Sequence, residues 1–145
     1  MRANQIELPV DELPSKWYNV QADLPEPLPP PKEPDDGVSR ADFLKRTMIS
    51  DCLRQESSDD RWIPIPEEVL DMYVQVGRPR PLYRALRLEQ FLKLERTRIY
   101  YKREDLSPTG SHKTNTAIAQ AYFAAKEGKR TLVTETGAGQ WGTAL

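Results

Sequence analysis

The stretches R-I-Y-Y-K (residues 98–102) and R-T-L-V-T (residues 130–134) decide the fold, together with K-T-N-T-A-I-A-Q-A-Y-F-A-A-K (residues 113–126) between them. The first and last stretches are rich in β-branched and aromatic residues, which predicts two strands. A helix is expected from about Lys113 to a stop at Gly128, with an inward face formed by Ala117, Ile118, Ala121, Tyr122 and Ala125. A strand, a crossover helix and a second strand predict a right-handed βαβ unit with a parallel sheet, and hence an α/β fold. Ligands bind at the carboxyl ends of such strands, so any site is expected on the two loops there.

Three helices are predicted upstream of this unit. The first is expected from the N-cap Ser39 to about Arg54, with an apolar face formed by Leu44, Met48 and Cys52. The second follows Pro66 and stops before Gly77, with a stripe formed by Val69, Met72, Tyr73 and Val76. The third is expected from about Arg84 to Leu94, and it is expected to bury Ala85, Leu88, Phe91 and Leu92.

A proline-rich segment precedes the helices. Residues 25–34 read P-E-P-L-P-P-P-K-E-P, which predicts polyproline II lying on a surface, or an unanchored arm. We therefore divide the chain into a proline-rich extension (residues 1–38), a helical part (residues 39–97) and the βαβ unit (residues 98–145).

Charge and cysteine content limit the function classes. The 145 residues carry 21 Lys+Arg against 22 Asp+Glu, a net charge of −1, which gives no electrostatic basis for binding nucleic acid or an anionic membrane. Cys52 is the single cysteine, which excludes an internal disulfide and a multi-cysteine zinc site and suits a reducing cytoplasm. Residues 1–10 lack the basic start and apolar run of a signal peptide, so none is expected, and no stretch approaches the ~20 apolar residues that span a bilayer. We expect a cytoplasmic protein without a metal site.

The first loop places an amine at the start of a helix. In S-P-T-G-S-H-K-T-N (residues 107–115), the positive end of the helix dipole disfavours an ammonium on Lys113. A partly deprotonated amine in a cleft is what Schiff-base chemistry requires. An ordinary solvated lysine fits the same pattern. His112 is open to three roles: a satisfied polar residue, a general base or a donor to a phosphate.

The second loop matches the dinucleotide fingerprint G-x-G-x-x-G at Gly137, Gly139 and Gly142. The polar residues Glu135 and Thr136 separate it from the strand, and the expected acidic residue about 20 positions later lies beyond the chain. A glycine-rich turn before a helix binds any anion, including a carboxylate. Glu135 at the strand end suits acid–base work, and a surface glutamate paired with a neighbour is the plain alternative.

Two longer motifs contain these loops, Y-K-R-E-D-L-S-P-T-G-S-H-K-T-N (residues 101–115) and E-T-G-A-G-Q-W-G (residues 135–142). In combination they resemble the tryptophan synthase β-chain family. The front segments W-Y-N-V (17–20), L-P-E-P-L-P-P-P (24–31) and W-I-P-I-P-E-E-V (62–69) resemble a divergent β-chain subgroup of that family. The resemblance covers almost the whole chain. It implies the start of a two-domain pyridoxal-phosphate fold of type II, built from parallel βαβ units.

The resemblance also implies an activity and a set of residue roles. The activity is the condensation of L-serine with indole to give L-tryptophan and water, with pyridoxal 5′-phosphate as cofactor. Lys113 corresponds to the lysine that binds the cofactor covalently, with His112, Asn115 and Gln140 beside the cofactor. Glu135 corresponds to the acid–base residue. The substrate carboxylate would be bound by the following turn, which is formed by Thr136, Gly137, Ala138, Gly139 and Gln140. The family further implies a homodimer for the complete protein, and an α chain of tryptophan synthase is left open as a partner.

Three departures from the family pattern stand out. Arg80 occupies a position where the family usually has Thr or Ser, and Trp141 occupies one where the main β-chain group has His. The phosphate loop, the partner of the pyridine nitrogen and the second domain are expected downstream of Leu145. The chain is thus expected to be an N-terminal fragment that binds cofactor poorly and is inactive alone.

Three alternatives remain open at the level of sequence. Related pyridoxal enzymes that act on serine or threonine share a P-T-G-S-x-K stretch, but they typically lack the E-T-G-A-G-Q turn. A nicotinamide-binding enzyme depends only on the glycine spacing. A truncated, non-catalytic product acting in binding or assembly is the third.

Overall fold

A computed structural model describes residues 4–35 and 37–145 of the chain. The described residues form an α/β arrangement of short strands and helices. The strands are β1 (Gln5–Ile6), β2 (Lys16–Tyr18), β3 (Trp62–Pro64), β4 (Leu82–Arg84) and β5 (Tyr100–Lys102). The helices are α1 (Arg40–Thr47), α2 (Ser50–Glu56), α3 (Glu67–Gln75), α4 (Leu86–Phe91), α5 (Lys113–Lys126) and α6 (Gln140–Ala144). Short 3₁₀ turns occupy Val10–Glu12, Val20–Asp23 and Glu104–Leu106. Within these described ranges, no helix has the length and apolar character that crossing a bilayer requires.

The strands form two antiparallel sheets. One has the order β1-β4-β5, with Tyr83 opposite both Gln5 and Tyr101. The other pairs β2 with β3, with Trp17 opposite Ile63. The first sheet takes one strand from each of the three segments predicted from the sequence. The segments are therefore joined by backbone hydrogen bonds, and the domain boundaries stay a prediction.

The parallel pairing predicted for the βαβ unit is absent from the described residues. The strand expected around Ile99 forms as β5, but β5 pairs antiparallel with β4. Residues 130–134 form no strand, and the Leu132 and Val133 side chains are 42% and 92% exposed. The physical reason is the lack of a partner, because strand composition produces a strand only where a neighbour accepts the backbone hydrogen bonds.

The helix predicted from Ser39 to Arg54 is two helices. The chain is extended at Met48, with φ −101° and ψ 164°, and α2 begins after Ile49. A distant residue promotes the second start: the Glu127 carboxylate accepts hydrogen bonds from Asp51 N at 3.0 Å and from Ser50 Oγ at 3.4 Å. The Glu127 carboxylate thus accepts hydrogen bonds at the start of α2 that a local N-cap side chain would otherwise accept.

The proposed caps and boundaries of the other early helices also need correction. The Ser39 side chain does not cap α1; Glu33 Oε2 instead accepts a hydrogen bond from Arg40 N at 2.9 Å. The third helix is shorter than predicted, because Arg84 belongs to β4 and pairs with Tyr100 of β5. Its predicted buried face is wrong at three positions, since the side chains of Leu88, Phe91 and Leu92 are 45%, 81% and 49% exposed.

The core lies between α3 and α5. Its buried cluster is Ile65, Val69, Tyr73 and Ile118. Trp17 packs against this cluster, so the start of the chain is anchored to the core. The predicted α3 stripe is confirmed at Val69 and Tyr73, whereas Met72 is exposed. On α5, Ala117 and Ile118 are buried as predicted. Ala125 is exposed, and Phe123 and Ala124 are buried in its place.

The proline-rich segment lies on the surface, and its polyproline II conformation stays a prediction. Residues 25–34 are in no helix or strand. Leu28 and the three prolines after it line a cleft with Leu44 of α1 and Leu53 of α2.

Cys52 on α2 is half-buried and forms no disulfide. Burial raises the pKa of its thiol, with the Glu127 and Asp51 carboxylates adding to the effect. A thiol held protonated in this way is a poor nucleophile, as the sequence indicates.

Candidate active site

The loop before α5 is fixed by its own side chains. Ser107 Oγ accepts a hydrogen bond from Ser111 N at 2.8 Å and donates one to Ser111 O at 2.7 Å, and both serines are buried. Gly110, with φ +66°, supplies the left-handed conformation that closes this turn. Ser111 Oγ then accepts a hydrogen bond from Lys113 N at 3.2 Å. The start of α5 is therefore set by the loop and not left to fray.

Lys113 is the first residue of α5, and its side chain is half-buried. Its Nζ lies 5.6 Å from the centroid of the Trp141 ring. This contact joins the start of α5 to α6, and so brings the two sequence motifs together. No carboxylate within residues 4–35 or 37–145 forms an ion pair with Lys113, so its amine has an aromatic face as neighbour in place of a counter-ion.

Asn115 lies in the first turn of α5, two residues after Lys113. Its Nδ2 donates to Glu104 Oε2 at 3.0 Å, and its backbone carbonyl accepts from Tyr73 OH at 2.9 Å. Its Oδ1 is buried and has no hydrogen-bond partner among the described residues. A buried, unsatisfied acceptor is costly unless a ligand or water pairs with it. Asn115 therefore offers a buried acceptor atom in the first turn of α5.

His112 is exposed at the position that precedes α5. Its backbone is helical, with φ −64° and ψ −17°, and its side chain does not cap the helix. The imidazole is thus free to contact a ligand near the helix start. The three roles that the sequence allows for His112, a satisfied polar residue, a general base or a donor to a phosphate, stay predictions.

The second loop is an exposed turn that leads into α6. Gly139 has φ +81° and forms the N-cap, and Gln140 begins the helix. In the described part of the chain, no group accepts a hydrogen bond from the backbone N–H groups of Gly137, Ala138 and Gly139. Consecutive free N–H groups in a turn with one left-handed residue form a concave anion site.

Glu135 and Thr136 precede this turn, and both are exposed. No residue that the structure describes pairs with the Glu135 carboxylate, so it is not the glutamate of a surface ion pair. A Cβ built on Gly142 would lie 3.2 Å from Thr136 Cγ2, so α6 passes close to the start of the turn. Glycine suits this close approach.

Arg80 is a buried charge in the segment that joins α3 to β4. It is 3% exposed, and its Nη1 donates to the carbonyl of Val76. Its Nε and Nη2 have no partner among the described residues. Burial lowers the pKa of Arg80, while the charge of Glu104 opposes that effect and the charge of Arg78 adds to it. The sequence marks Arg80 as unusual but does not predict its burial.

The structure thus joins some of the predicted site residues and adds others. Lys113 meets Trp141, and Asn115 is held by Tyr73 and Glu104. The sequence marks Trp141 only as a departure and gives Tyr73 only a core role. Glu104, in the K-R-E-D run, carries no signal that sets it apart from a solvated charge. The roles of the predicted site residues stay predictions.

Comparisons with known proteins give the chain a family. A family model described as "Pyridoxal-phosphate dependent enzyme" matches residues 74–145. The chain is 58% identical over 142 residues to tryptophan synthase beta chain 2 of Methanothermobacter thermautotrophicus, which covers 98% of this chain and 33% of that protein. It is 55% identical over 136 residues to tryptophan synthase beta chain 1 of Sulfurisphaera tokodaii, covering 93% of this chain and 32% of the relative.

A third relative agrees with these two. The tryptophan synthase beta chain of Pyrococcus horikoshii is 53% identical over 135 residues, covering 92% of this chain and 29% of the relative. The chain spans about a third of the length of the curated relatives it matches. Because the chain is more than 50% identical to these relatives over more than nine-tenths of its length, it belongs to the tryptophan synthase β-chain family of pyridoxal-phosphate-dependent enzymes.

Proposed function

We propose that the complete protein is a tryptophan synthase β chain, a lyase of tryptophan biosynthesis that condenses L-serine with indole to give L-tryptophan and water. The observation that carries this proposal is the Lys113 amine at the start of α5. It has no carboxylate partner in the described residues and lies 5.6 Å from the ring of Trp141 in the second motif. Identity of 58% to a relative named tryptophan synthase beta chain 2 supports the same reading.

The residues present fit pyridoxal 5′-phosphate. Lys113 supplies a primary amine for the aldehyde, and the unsatisfied Oδ1 of Asn115 supplies a hydrogen-bond acceptor in the same helical turn. His112 is exposed at the helix start, where donors favour a phosphate. We propose that these three residues and Gln140 hold the cofactor. When bound, it supplies an electron sink that stabilises negative charge at the substrate Cα.

The chain's own residues would act on the substrate as follows. Lys113 Nζ takes the proton from Cα of serine. The free N–H groups of Gly137, Ala138 and Gly139 bind the serine carboxylate, within a turn that extends from Thr136 to Gln140. The Glu135 carboxyl group protonates the departing hydroxyl, and its carboxylate then polarises the indole N–H as C3 attacks. The exposed position of Glu135 and its lack of a described counter-ion support this role.

The family also supports a proposal for the wider assembly. We propose that the complete protein has the two-domain fold of type II, in which residues 130–134 pair as a strand in a parallel sheet. Their exposed Leu132 and Val133 support this pairing. A homodimer and an association with an α chain follow from the same family membership. The unpaired Cys52 thiol supports a cytoplasmic location.

Borohydride trapping tests the role of Lys113. We expect reduction of the complete protein with pyridoxal phosphate, followed by peptide mapping, to place the pyridoxyl group on Lys113. The Lys113→Met variant should lose the label. Lys126→Met is the matched control, because Lys126 lies on the same helix with its Nζ 5.8 Å from the Tyr122 ring, and it should keep the label. A label on another lysine, or none despite bound cofactor, refutes the assignment.

Glu135→Ala tests the acid–base role. We expect the variant to bind cofactor normally and to lose tryptophan formation from serine and indole by about 100-fold or more, the range typical of general acid–base catalysis. The control Glu67→Ala removes an exposed carboxylate from α3 and should keep full activity. Near-normal tryptophan formation in Glu135→Ala would remove Glu135 from the mechanism. Serine deamination without indole condensation in the unmodified protein would favour a related pyridoxal enzyme.

A further inference from the structure

The Asn115 side chain is bound on one side and open on the other. Its Nδ2 donates a hydrogen bond to Glu104 Oε2 at 3.0 Å, whereas its Oδ1 is buried and has no hydrogen-bond partner among the described residues. An amide group carries donors on its nitrogen and acceptor sites on its oxygen. The Asn115 amide is therefore satisfied on its donor side and unsatisfied on its acceptor side.

Glu104 determines which side of this amide stays open. An ionised carboxylate accepts hydrogen bonds and donates none, so only the Nδ2 side of Asn115 can bind it. An amide rotated by half a turn would place Oδ1 against the Glu104 carboxylate, and two acceptors without a proton between them make no hydrogen bond. The open atom of Asn115 is thus an oxygen because its neighbour is a carboxylate. A glutamine at position 104 would allow either orientation.

Backbone contacts anchor the two residues that form this hydrogen bond. Glu104 begins the 3₁₀ turn after β5, and its carbonyl oxygen accepts a hydrogen bond from Ser107 N at 3.2 Å. Asn115 lies in the first turn of α5, where its carbonyl oxygen accepts a hydrogen bond from Tyr73 OH at 2.9 Å. The contact therefore joins two anchored segments, and the orientation of the Asn115 amide is set within the chain.

We propose that Glu104 is a positioning residue, which fixes the Asn115 amide so that Oδ1 accepts a hydrogen bond from a hydroxyl or N–H group of the bound ligand. Asn115 then contacts neither the phosphate group of the cofactor nor the substrate carboxylate, because the oxygens of both are acceptors. Glu104 itself touches neither molecule. The inference rests on the proposed function in taking Asn115 as a cofactor-binding residue, whereas the contact with Glu104 is present in the chain itself.

Hydrogen exchange on the complete protein without cofactor tests the contact. Glu104→Gln removes the charge that strengthens the hydrogen bond, so we expect the amides at residues 113–117 to exchange about five-fold faster. Asn115→Asp places two carboxylates against each other and should speed this exchange by about ten-fold or more. The double variant Glu104→Gln/Asn115→Asp reverses donor and acceptor across the same contact. Its exchange rates should return to within about two-fold of the unmodified protein.

Asp105→Asn is the matched control. Asp105 follows Glu104 in the same 3₁₀ turn, and the substitution is again carboxylate to amide, but the Asp105 carboxylate binds Arg103 at 2.7 Å. Exchange at residues 113–117 should stay unchanged in this variant. Unchanged exchange in Glu104→Gln, or exchange in the double variant as fast as in Asn115→Asp, overturns the positioning role. Because the double variant restores the contact, the test survives even if a single variant fails to fold.

Titration with pyridoxal phosphate tests the polarity of the open atom. The double variant places a charged carboxylate oxygen where Asn115 has Oδ1. If the ligand group there is a donor, the double variant should bind pyridoxal phosphate within about three-fold of the unmodified protein, and Glu104→Gln about five-fold more weakly. If that group is the phosphate, repulsion should weaken binding to the double variant by about ten-fold or more although its exchange is normal, and the inferred acceptor role is wrong.

Borohydride labelling separates this inference from the proposed function. If the pyridoxyl group is on Lys113 but Glu104→Gln changes neither exchange nor affinity for pyridoxal phosphate, the positioning role fails and the proposed function stands. If no label reaches Lys113 while the double variant restores exchange, the proposed function fails, and the fixed orientation of Asn115 by Glu104 stands.

Discussion

Val69 provides a test of the packing that carries α5. It is 0% exposed on α3, and its cluster includes Ile118 of α5. Val69→Ala removes two methyl groups, at about 0.8 kcal/mol each for the lost burial. The remaining cavity adds a cost, and the better helix propensity of Ala offsets about 0.5 kcal/mol. We expect the free energy of unfolding to fall by about 2 kcal/mol.

The same substitution on the same helix supplies the control. Val74 is 40% exposed, so Val74→Ala should change the free energy of unfolding by less than about 0.5 kcal/mol. Denaturant unfolding of the complete protein measures the totals, and hydrogen exchange of peptides from α3 and α5 shows where stability is lost. Val69→Ala should weaken protection in both helices. Equal effects of the two substitutions, or a loss confined to α3, would refute the reasoning that the core couples α3 to α5.

Two further predictions concern backbone conformation and pH. Gly77→Ala should lower the free energy of unfolding more than Gly128→Ala does. Both glycines have positive φ, which costs about 1–2 kcal/mol for Ala. Only at Gly77 would the new Cβ also lie 2.7 Å from Arg80 Nη1. Urea midpoints of the two variants measure the difference, and equal midpoints would contradict it. Hydrogen bonds from Arg84 hold the pKa of Glu89 below its ordinary value. The ionised Glu89 carboxylate therefore stabilises the folded protein above about pH 4, and this contribution is lost as the pH falls through the lowered pKa. The difference in unfolding free energy between the unmodified protein and Glu89→Gln should therefore shrink below pH 4, and a constant difference from pH 7 to pH 3 would contradict this.

Local pattern is what made α5 and the α6 turn predictable. Lys113 begins α5 and Gly128 follows its end with φ +74°, because the start and stop signals lie within a few residues of the helix. The turn at residues 137–139 leads into α6 at Gln140, and here too the glycines that signal the turn lie next to the helix. The spacing of apolar residues in α3 correctly predicts that Val69 and Tyr73 are buried. Met72 has the same spacing but is exposed, so the apolar face of the helix is wider than its buried face.

Contacts between distant residues explain what the sequence could not give. The break at Met48 depends on the Glu127 carboxylate, which lies 76 positions from the Asp51 amide that it accepts from. The hold on Asn115 depends on Tyr73, 42 positions away. Contacts between residues this far apart in the sequence produce no periodicity and no compositional pattern from which they could be predicted. The burial of Arg80 is hidden for a further reason, because arginine is rarely buried and its sequence neighbours give no sign of it.

The two loops of the candidate site are fixed to different degrees. The first is closed by Ser107 and Ser111 and continues into α5, which packs on the core at Ile118. The position of Lys113 is therefore set by groups within this chain. The second is reached through residues 130–134, which pair with no strand among the described residues and leave Val133 92% exposed.

Burial of a valine side chain stabilises by about 1.5–3 kcal/mol, so whatever packs on residues 130–134 has a substantial influence on how they lie. Within the described residues, the second loop touches the first through Trp141 at Lys113. A contact of a cation with an aromatic face is worth about 0.5–2 kcal/mol, too little to fix a carboxylate to the precision that proton transfer requires. In the proposed mechanism, the position of Glu135 therefore depends on the strand pairing that we propose for residues 130–134, whereas Lys113 itself is in place once α5 has packed.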